Sequence, residues 1–223
     1  MNVEEFDVIT FDCYGTLIDW ERGIANAFQS EAARDGLRLE ADTIIDPYMA
    51  EEPVVESERF RLYRDVLRET ALRVARRLGW MITPERADFL CESLPSWPPF
   101  PDTNPALTRL ARRFRLGILS NVDDDLLAAT RRHLTVSFDL IVTAQQVRSY
   151  KPGLAHFREA LARTQGARLL HAAQSYFHDV VPARSLNLPV VWINRKAGRV
   201  KEGGFTPTYE VRDLSALAEL LGA

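Results

Sequence analysis

Cysteine is scarce in this chain. Its two, Cys13 and Cys91, lie far apart and outside any CxxC spacing. No disulfide framework is written here, and both read as thiols of a reducing compartment. No apolar run approaches the length needed to span a bilayer. Glu4, Glu5 and Asp7 stand where a secretory leader would carry basic residues, so the expected location is the cytoplasm. An excess of one charge is missing too. The 28 basic and 31 acidic residues leave a formal charge of -3, with no electrostatic footprint for nucleic acid and no polybasic membrane anchor. Repeats and low-complexity tracts are absent. What remains is the composition of an ordinary folded protein, 46% hydrophobic and 26% charged over 223 residues. That suits one large domain or a core with a smaller insertion.

Five short apolar runs read as buried strands: FDVITF (Phe6 to Phe11), RLGIL (Arg115 to Leu119), FDLIV (Phe138 to Val142), LLHAA (Leu169 to Ala173) and PVVWI (Pro189 to Ile193). Helical patterns alternate with the last four, over Asn104 to Arg113, Asp124 to Leu134, Leu154 to Thr164 and Val180 to Leu186. The alternation predicts an α/β fold with a doubly wound parallel sheet, in which a site forms beyond the carboxyl ends of the strands. From about Ile18 to Pro99 the alternation stops. Helical patterns at Ile24 to Gly36, Glu56 to Leu78 and Pro84 to Cys91 run on to a proline-rich crossing, LPSWPPFPD. The expected division is therefore a Rossmann-like core of residues 1-17 plus 98-223 and an inserted helical domain over 18-97. The plainer alternative is one continuous domain with a helical excursion.

Each of four strands leads to polar residues that could carry chemistry. After FDVITF come Asp12, Cys13, Tyr14, Gly15 and Thr16. A carboxylate at the mouth of a rigid strand, next to a glycine turn and a hydroxyl able to fix its direction, suits a covalent nucleophile. A turn-capping aspartate is the bland reading of the same residues. Ser120 and Asn121 follow RLGIL and can donate to a developing anion, or else cap the next helix. Lys151 precedes Pro152, which restricts the lysine backbone so that the ammonium can be aimed; most lysines are simply solvated. Gln174, Ser175, His178 and Asp179 follow LLHAA. Asp179 would be a second acid, or a helix cap.

In order, spacing and strand context these four segments resemble the motifs of the haloacid dehalogenase superfamily, and the helical stretch after the first motif resembles that family's helical cap. The resemblance covers most of the chain and implies a hydrolase. Asp12 would be the nucleophile and Thr16 its support, Ser120 would bind substrate or leaving group, Lys151 would balance charge and Asp179 would close the site. Tyr14, Asn121 and Ser175 would line the substrate position. His178 would support Asp179, while His133, His156 and His171 lack metal-ligand spacing.

Phosphatases of this family usually carry an acid two residues after the nucleophile, to protonate an alkoxide. Tyr14 stands there in this sequence, and a halide needs no such proton. The pattern Asp-x-Tyr-Gly-Thr is similar to that of the 2-haloacid dehalogenase branch. Gln174 likewise stands near a place where the phosphatases present an acid to magnesium. The expectation is a reaction without metal or other cofactor, with magnesium implied only under the alternative phosphatase reading and a non-catalytic binding member as a further alternative. A small anionic substrate needs a cation for its own carboxylate. Arg61 and Arg64, three residues apart on one helical pattern in the insertion, are the nominees, although the arginine setting departs from that of the better-known dehalogenases. The sequence leaves a homodimer open.

Overall fold

A computed structural model describes residues 6-200 and 202-223. The first strand, β1 (Val8–Phe11), is followed by four helices: α1 (Trp20–Ala33), α2 (Ala41–Glu58), α3 (Tyr63–Arg77) and the short α4 (Phe89–Ser93). Then come α5 (Thr103–Leu110), β2 (Arg115–Ser120), α6 (Asp124–Thr130), β3 (Leu140–Thr143), α7 (Ala144–Val147), α8 (Ala155–Thr164) and β4 (Leu169–Ala173). A π-helical turn at Tyr176–Val180 runs into α9 (Val181–Ser185), and β5 (Val190–Ile193), β6 (Tyr209–Val211) and α10 (Leu214–Leu220) complete the chain. Among the described residues, those within Met1–Ile18, Pro99–Asn121 and Arg132–Ala223 form one compact unit. Asp19–Pro98 and Val122–Arg131 form the other. Val122–Arg131, which hold α6, thus cluster with the helical residues, although the sequence places them in the core.

The first unit is built on a six-stranded sheet of order β3-β2-β1-β4-β5-β6 with every pairing parallel. Alternate residues point to opposite faces. The register sets Thr10 beside Gly117 and His171, so Val8, Thr10, Leu119, Val142, Leu169, His171 and Val190 share one face. Phe157 of α8, Val180 and Ala183 pack in the same apolar cluster as Val8, Leu119, Val142, Leu169 and Val190. On the other face Ile9, Phe11, Leu116, Ile118, Leu170, Ala172 and Val191 are equally buried. Burial on both faces explains why these strands are nearly continuous apolar runs. Strand order reverses at β1, which lies between β2 and β4, and the carboxyl ends of these three strands carry the polar motifs.

The second unit is helical. The single helix expected over Glu56 to Leu78 is in fact broken: α2 ends at Glu58, Arg59 and Leu62 are extended, and α3 starts at Tyr63. Asp123 explains the new start. Its carboxylate accepts from the Tyr63 and Arg64 backbone N–H groups at 2.8 and 3.1 Å, satisfying two of the donors that a helix start leaves open. α2 itself was unexpected because it contains Pro47 and Pro53, which normally argue against a helix interior. Trp80 and Trp97 are buried in this unit and Trp192 in the first, as packing residues should be. Cys13 and Cys91 are both free thiols. No helix among the described residues is long and apolar enough to cross a membrane.

Candidate active site

Asp12 follows the last residue of β1, and its backbone N–H still reaches Ala172 O of β4 at 3.1 Å, so its position is set by the sheet. The chain then turns at Gly15, whose φ of 97° lies where a side chain would be strained. That turn brings Thr16 back onto the acid. Thr16 Oγ1 donates to Asp12 Oδ2 at 2.8 Å and accepts from the Gln174 backbone N–H at 2.9 Å. One hydroxyl therefore ties the loop after β1 to the loop after β4.

Lys151 is 2% exposed, and its three N–H bonds are all used. They reach Asp12 Oδ1 at 2.9 Å, Asp179 Oδ1 at 2.6 Å and the Leu119 carbonyl of β2 at 2.9 Å. The lysine backbone is held as firmly. Asn121 Oδ1 accepts from Lys151 N at 2.7 Å, and Asn121 Nδ2 donates to Lys151 O at 3.0 Å. Asn121, expected to face a substrate, is thus occupied as a clamp on the lysine.

Burial pushes the Asp12 carboxyl above its ordinary value; Lys151 and Thr16 pull it back, and the nearby Asp179 charge adds to the rise. Burial acts on Asp179 in the same direction, but Lys151 and a hydrogen bond from His171 outweigh it and hold the group down at about 2. Burial disfavours the Lys151 ammonium, yet the two carboxylates raise its pKa above the ordinary lysine value. The Lys151 ammonium opposes the burial penalty on both acids.

The remaining candidates divide. Ser120 Oγ is buried and has no partner among the described residues, which leaves its hydroxyl available. Tyr14 forms an isolated bridge with Ile18 beside the glycine turn. Ser175, expected at the substrate, caps the π-helical turn instead: Oγ accepts from His178 N at 3.1 Å and lies 3.1 Å from His178 Nδ1. His178 is therefore engaged with Ser175, and the imidazole on Asp179 is that of His171, with Nε2 3.0 Å from Oδ1. His156 is fully buried as well, its Nε2 3.1 Å from the Ser120 carbonyl. Both histidines were weighed in the sequence only as metal ligands and set aside, and each sits inside an apolar pattern that gives no hint of its partner. The available signal was that a histidine in a doubly covered strand such as LLHAA must find a polar partner.

Arg61 and Arg64 do not share a helix face, since Arg61 precedes α3. Arg61 pairs with Glu58 at 2.7 Å. Arg64 Nε meets Asp123 at 3.1 Å and its NH2 meets Asp125 at 2.6 Å. Both guanidiniums already have carboxylate partners within their own unit.

Magnesium would need oxygen ligands, commonly one or two carboxylates beside a phosphate. Asp12 and Asp179 are the acids at hand, and Lys151 Nζ already lies within hydrogen-bond distance of both. Tyr14 and Gln174 add no further charge, and no group of three or more metal-binding side chains occurs among the described residues. The donor set does not fit a magnesium centre.

An open parallel sheet with a lysine-held carboxylate at its switch point defines a Rossmann-like enzyme core. The sequence matches the family model of haloacid dehalogenase-like hydrolases over residues 6–172, and the chain belongs to that family. It is 28% identical to an (S)-2-haloacid dehalogenase of Pseudomonas sp. (strain YL), over 95% of this chain and 93% of that protein. A second (S)-2-haloacid dehalogenase, from Pseudomonas putida, is 34% identical over 55% of this chain and 57% of its own length. The fold is that of the L-2-haloacid dehalogenase from Xanthobacter autotrophicus with chloropropionic acid covalently bound, with a TM-score of 0.84 at 20% identity, covering 98% of this chain and 99% of that one.

Proposed function

We propose that this protein hydrolyses the carbon–halogen bond of small 2-haloacids through an ester on Asp12. The observation that carries the reading is the setting of that carboxylate. It lies 2.9 Å from Lys151 Nζ, accepts from Thr16 Oγ1 at 2.8 Å and is followed at the second position by Tyr14. Attack by Asp12 on the halogen-bearing carbon expels halide, a weak base that needs no acid catalyst. Water then attacks the ester at the Asp12 carboxyl carbon and frees the 2-hydroxy acid. Ser120, with its unpartnered hydroxyl, serves as a donor to the substrate or the departing halide. The relatives named (S)-2-haloacid dehalogenase support this choice over phosphoryl transfer.

The reaction needs no metal in this reading, because Lys151 supplies the positive charge between the two acids. The core expected over 1-17 plus 98-223 carries the chemistry and the helical domain over 18-97 selects the substrate. The unpaired thiols suit the cytoplasm. An assay of halide and phosphate release, with and without chelator, tests the reading. Halide release from 2-chloropropionate that survives chelation is expected; phosphate release dependent on added magnesium would overturn it.

A further inference from the structure

We propose that His171 is the positioning residue for ester hydrolysis: it fixes one oxygen of Asp179 so that the other is left to receive a proton from water. The inference rests on the function proposed above and adds a residue that no motif points to.

The geometry comes from strand register. β1 and β4 pair so that Thr10 and His171 stand side by side on one sheet face. The imidazole is wholly buried, with the Phe157 ring edge-on at 5.2 Å between centroids. Nδ1 lies 2.9 Å from Thr10 Oγ1, and Nε2 lies 3.0 Å from Asp179 Oδ1. A carboxylate offers no proton at that contact, so Nε2–H is the donor. Thr10 then sets the ring orientation from the other side, as an outer partner does for a working histidine.

Asp179 Oδ1 thus receives two donors, His171 Nε2–H and Lys151 Nζ at 2.6 Å. Oδ2 is buried and receives none among the described residues. A carboxylate oxygen without a donor is costly to bury, and two donors on its sibling are what keep it oriented. The Lys151 ammonium, though firmly held, fixes the distance to Oδ1 and not the plane of the carboxylate. The planar imidazole, held by Thr10 and Phe157, blocks rotation about the carboxylate axis. The π-helical turn, a feature frequent at functional sites, presents Asp179 to both donors.

In the step this serves, the water oxygen bonds Asp12 Cγ and one water proton passes to Asp179 Oδ2. The ester C–O bond breaks, with its electron pair on the departing alkoxide. Asp179 returns the proton to that alkoxide, which leaves as the 2-hydroxy acid, and the proton left on the new Asp12 carboxyl goes to solvent. The ionisable groups around Asp179 are Lys151, Asp12, His171, His156 and His178.

The test compares His171→Leu and His171→Gln with the unaltered full chain on 2-chloropropionate. Rapid-quench halide release reports ester formation, and hydroxy-acid release with the intact mass of the protein reports hydrolysis. His171→Leu should keep a halide burst of about one per protein and accumulate the ester. Its hydrolysis should slow on the order of 10- to 100-fold, at or below the roughly 100-fold lower end of what a lost acid–base group costs, because Asp179 itself remains. The acid limb of its hydrolysis profile should move to higher pH, since Asp179 loses a donor that holds it down. His171→Gln, which offers an amide N–H near the Nε2 position, should recover most of the rate. Equal loss in both variants, a parallel fall in burst and hydrolysis, or no change in either overturns the assignment. If His171→Leu does not fold, His171→Asn, whose shorter side chain cannot bring an N–H to Asp179 Oδ1, takes its place and the same outcomes decide. No halide from the unaltered protein removes the functional reading itself, and the His171 role with it.

Discussion

Thr16 places two demands on one hydroxyl. Its hydrogen points at Asp12 Oδ2 and its lone pair accepts the Gln174 N–H, so the direction of the proposed nucleophile depends on the loop after β4. Thr16→Val keeps the shape and removes both bonds. A hydrogen bond to a charged group contributes about 1.5–3 kcal/mol; expressed in the barrier, that is a loss of about 10- to 100-fold in turnover. Thr16→Ser should stay within a few-fold of the unaltered protein. Steady-state halide release checks both, and an unimpaired Thr16→Val would mean that Lys151 alone aims the carboxylate. That Asp12, Thr16, Lys151 and Asp179 gather in one place was legible in the sequence, because each is a polar residue soon after an apolar strand, where a parallel sheet gathers its ends. Asn121 and Ser175, read as substrate contacts, hold nearby groups of the chain in this structure. Their amide and hydroxyl satisfy nearby backbone groups, a local competition that spacing does not reveal. His171 was hidden because its partners lie 8 and 161 residues away.

Among the elements, the buried strands were readable to within a residue or two, and LLHAA was read with both ends correct. β6 was missed. It is a three-residue edge strand, only partly buried, and leaves no apolar run to find. α10 escaped for a related reason, being a seven-residue helix signalled mainly by the Asp213 cap. The break between α2 and α3 depends on Asp123, some 60 residues further on, and no window of local periodicity contains it. The join between α8 and β2 carries a prediction of its own. His156 Nε2–H donates to the Ser120 carbonyl, while Nδ1 is buried without a partner among the described residues. Burial, aided by the Lys151 charge, lowers the pKa of this imidazole from 6.5 to about 3. The folded-state value is depressed, so the unfolded chain takes up this proton first. Stability is fully present above about pH 6.5 and is lost progressively as pH falls toward about 3. Between about pH 7.5 and about pH 5.5 this group alone should cost about 1.4 kcal/mol. Urea unfolding at the two pH values should show His156→Gln losing less stability than the unaltered chain by that amount. Identical losses would place the pH dependence elsewhere.

At the scale of the whole molecule, the near-balance of charge in the composition conceals a concentrated arrangement. Asp12 and Asp179 share the buried ammonium of Lys151, whereas Arg61 and Arg64 are neutralised by neighbouring acids. For either of the two arginines that the sequence favoured to meet a substrate carboxylate, it would have to share or exchange an acidic partner. Fold class follows from strand order, a global property that survives at 20% identity, and the family from the motif-bearing stretch matched over residues 6–172. The proposed reaction turns on a covalent bond to Asp12. The direct measurement is a single turnover of 2-chloropropionate in oxygen-18 water with protein in excess, followed by mass spectrometry of the peptide that contains Asp12. Because water attacks the ester at Cγ, the label should enter the Asp12 carboxylate while the hydroxyl of the product carries ordinary oxygen drawn from the protein. Label in the product hydroxyl, with Asp12 unlabelled, would mean that water attacks the substrate directly and would contradict the account.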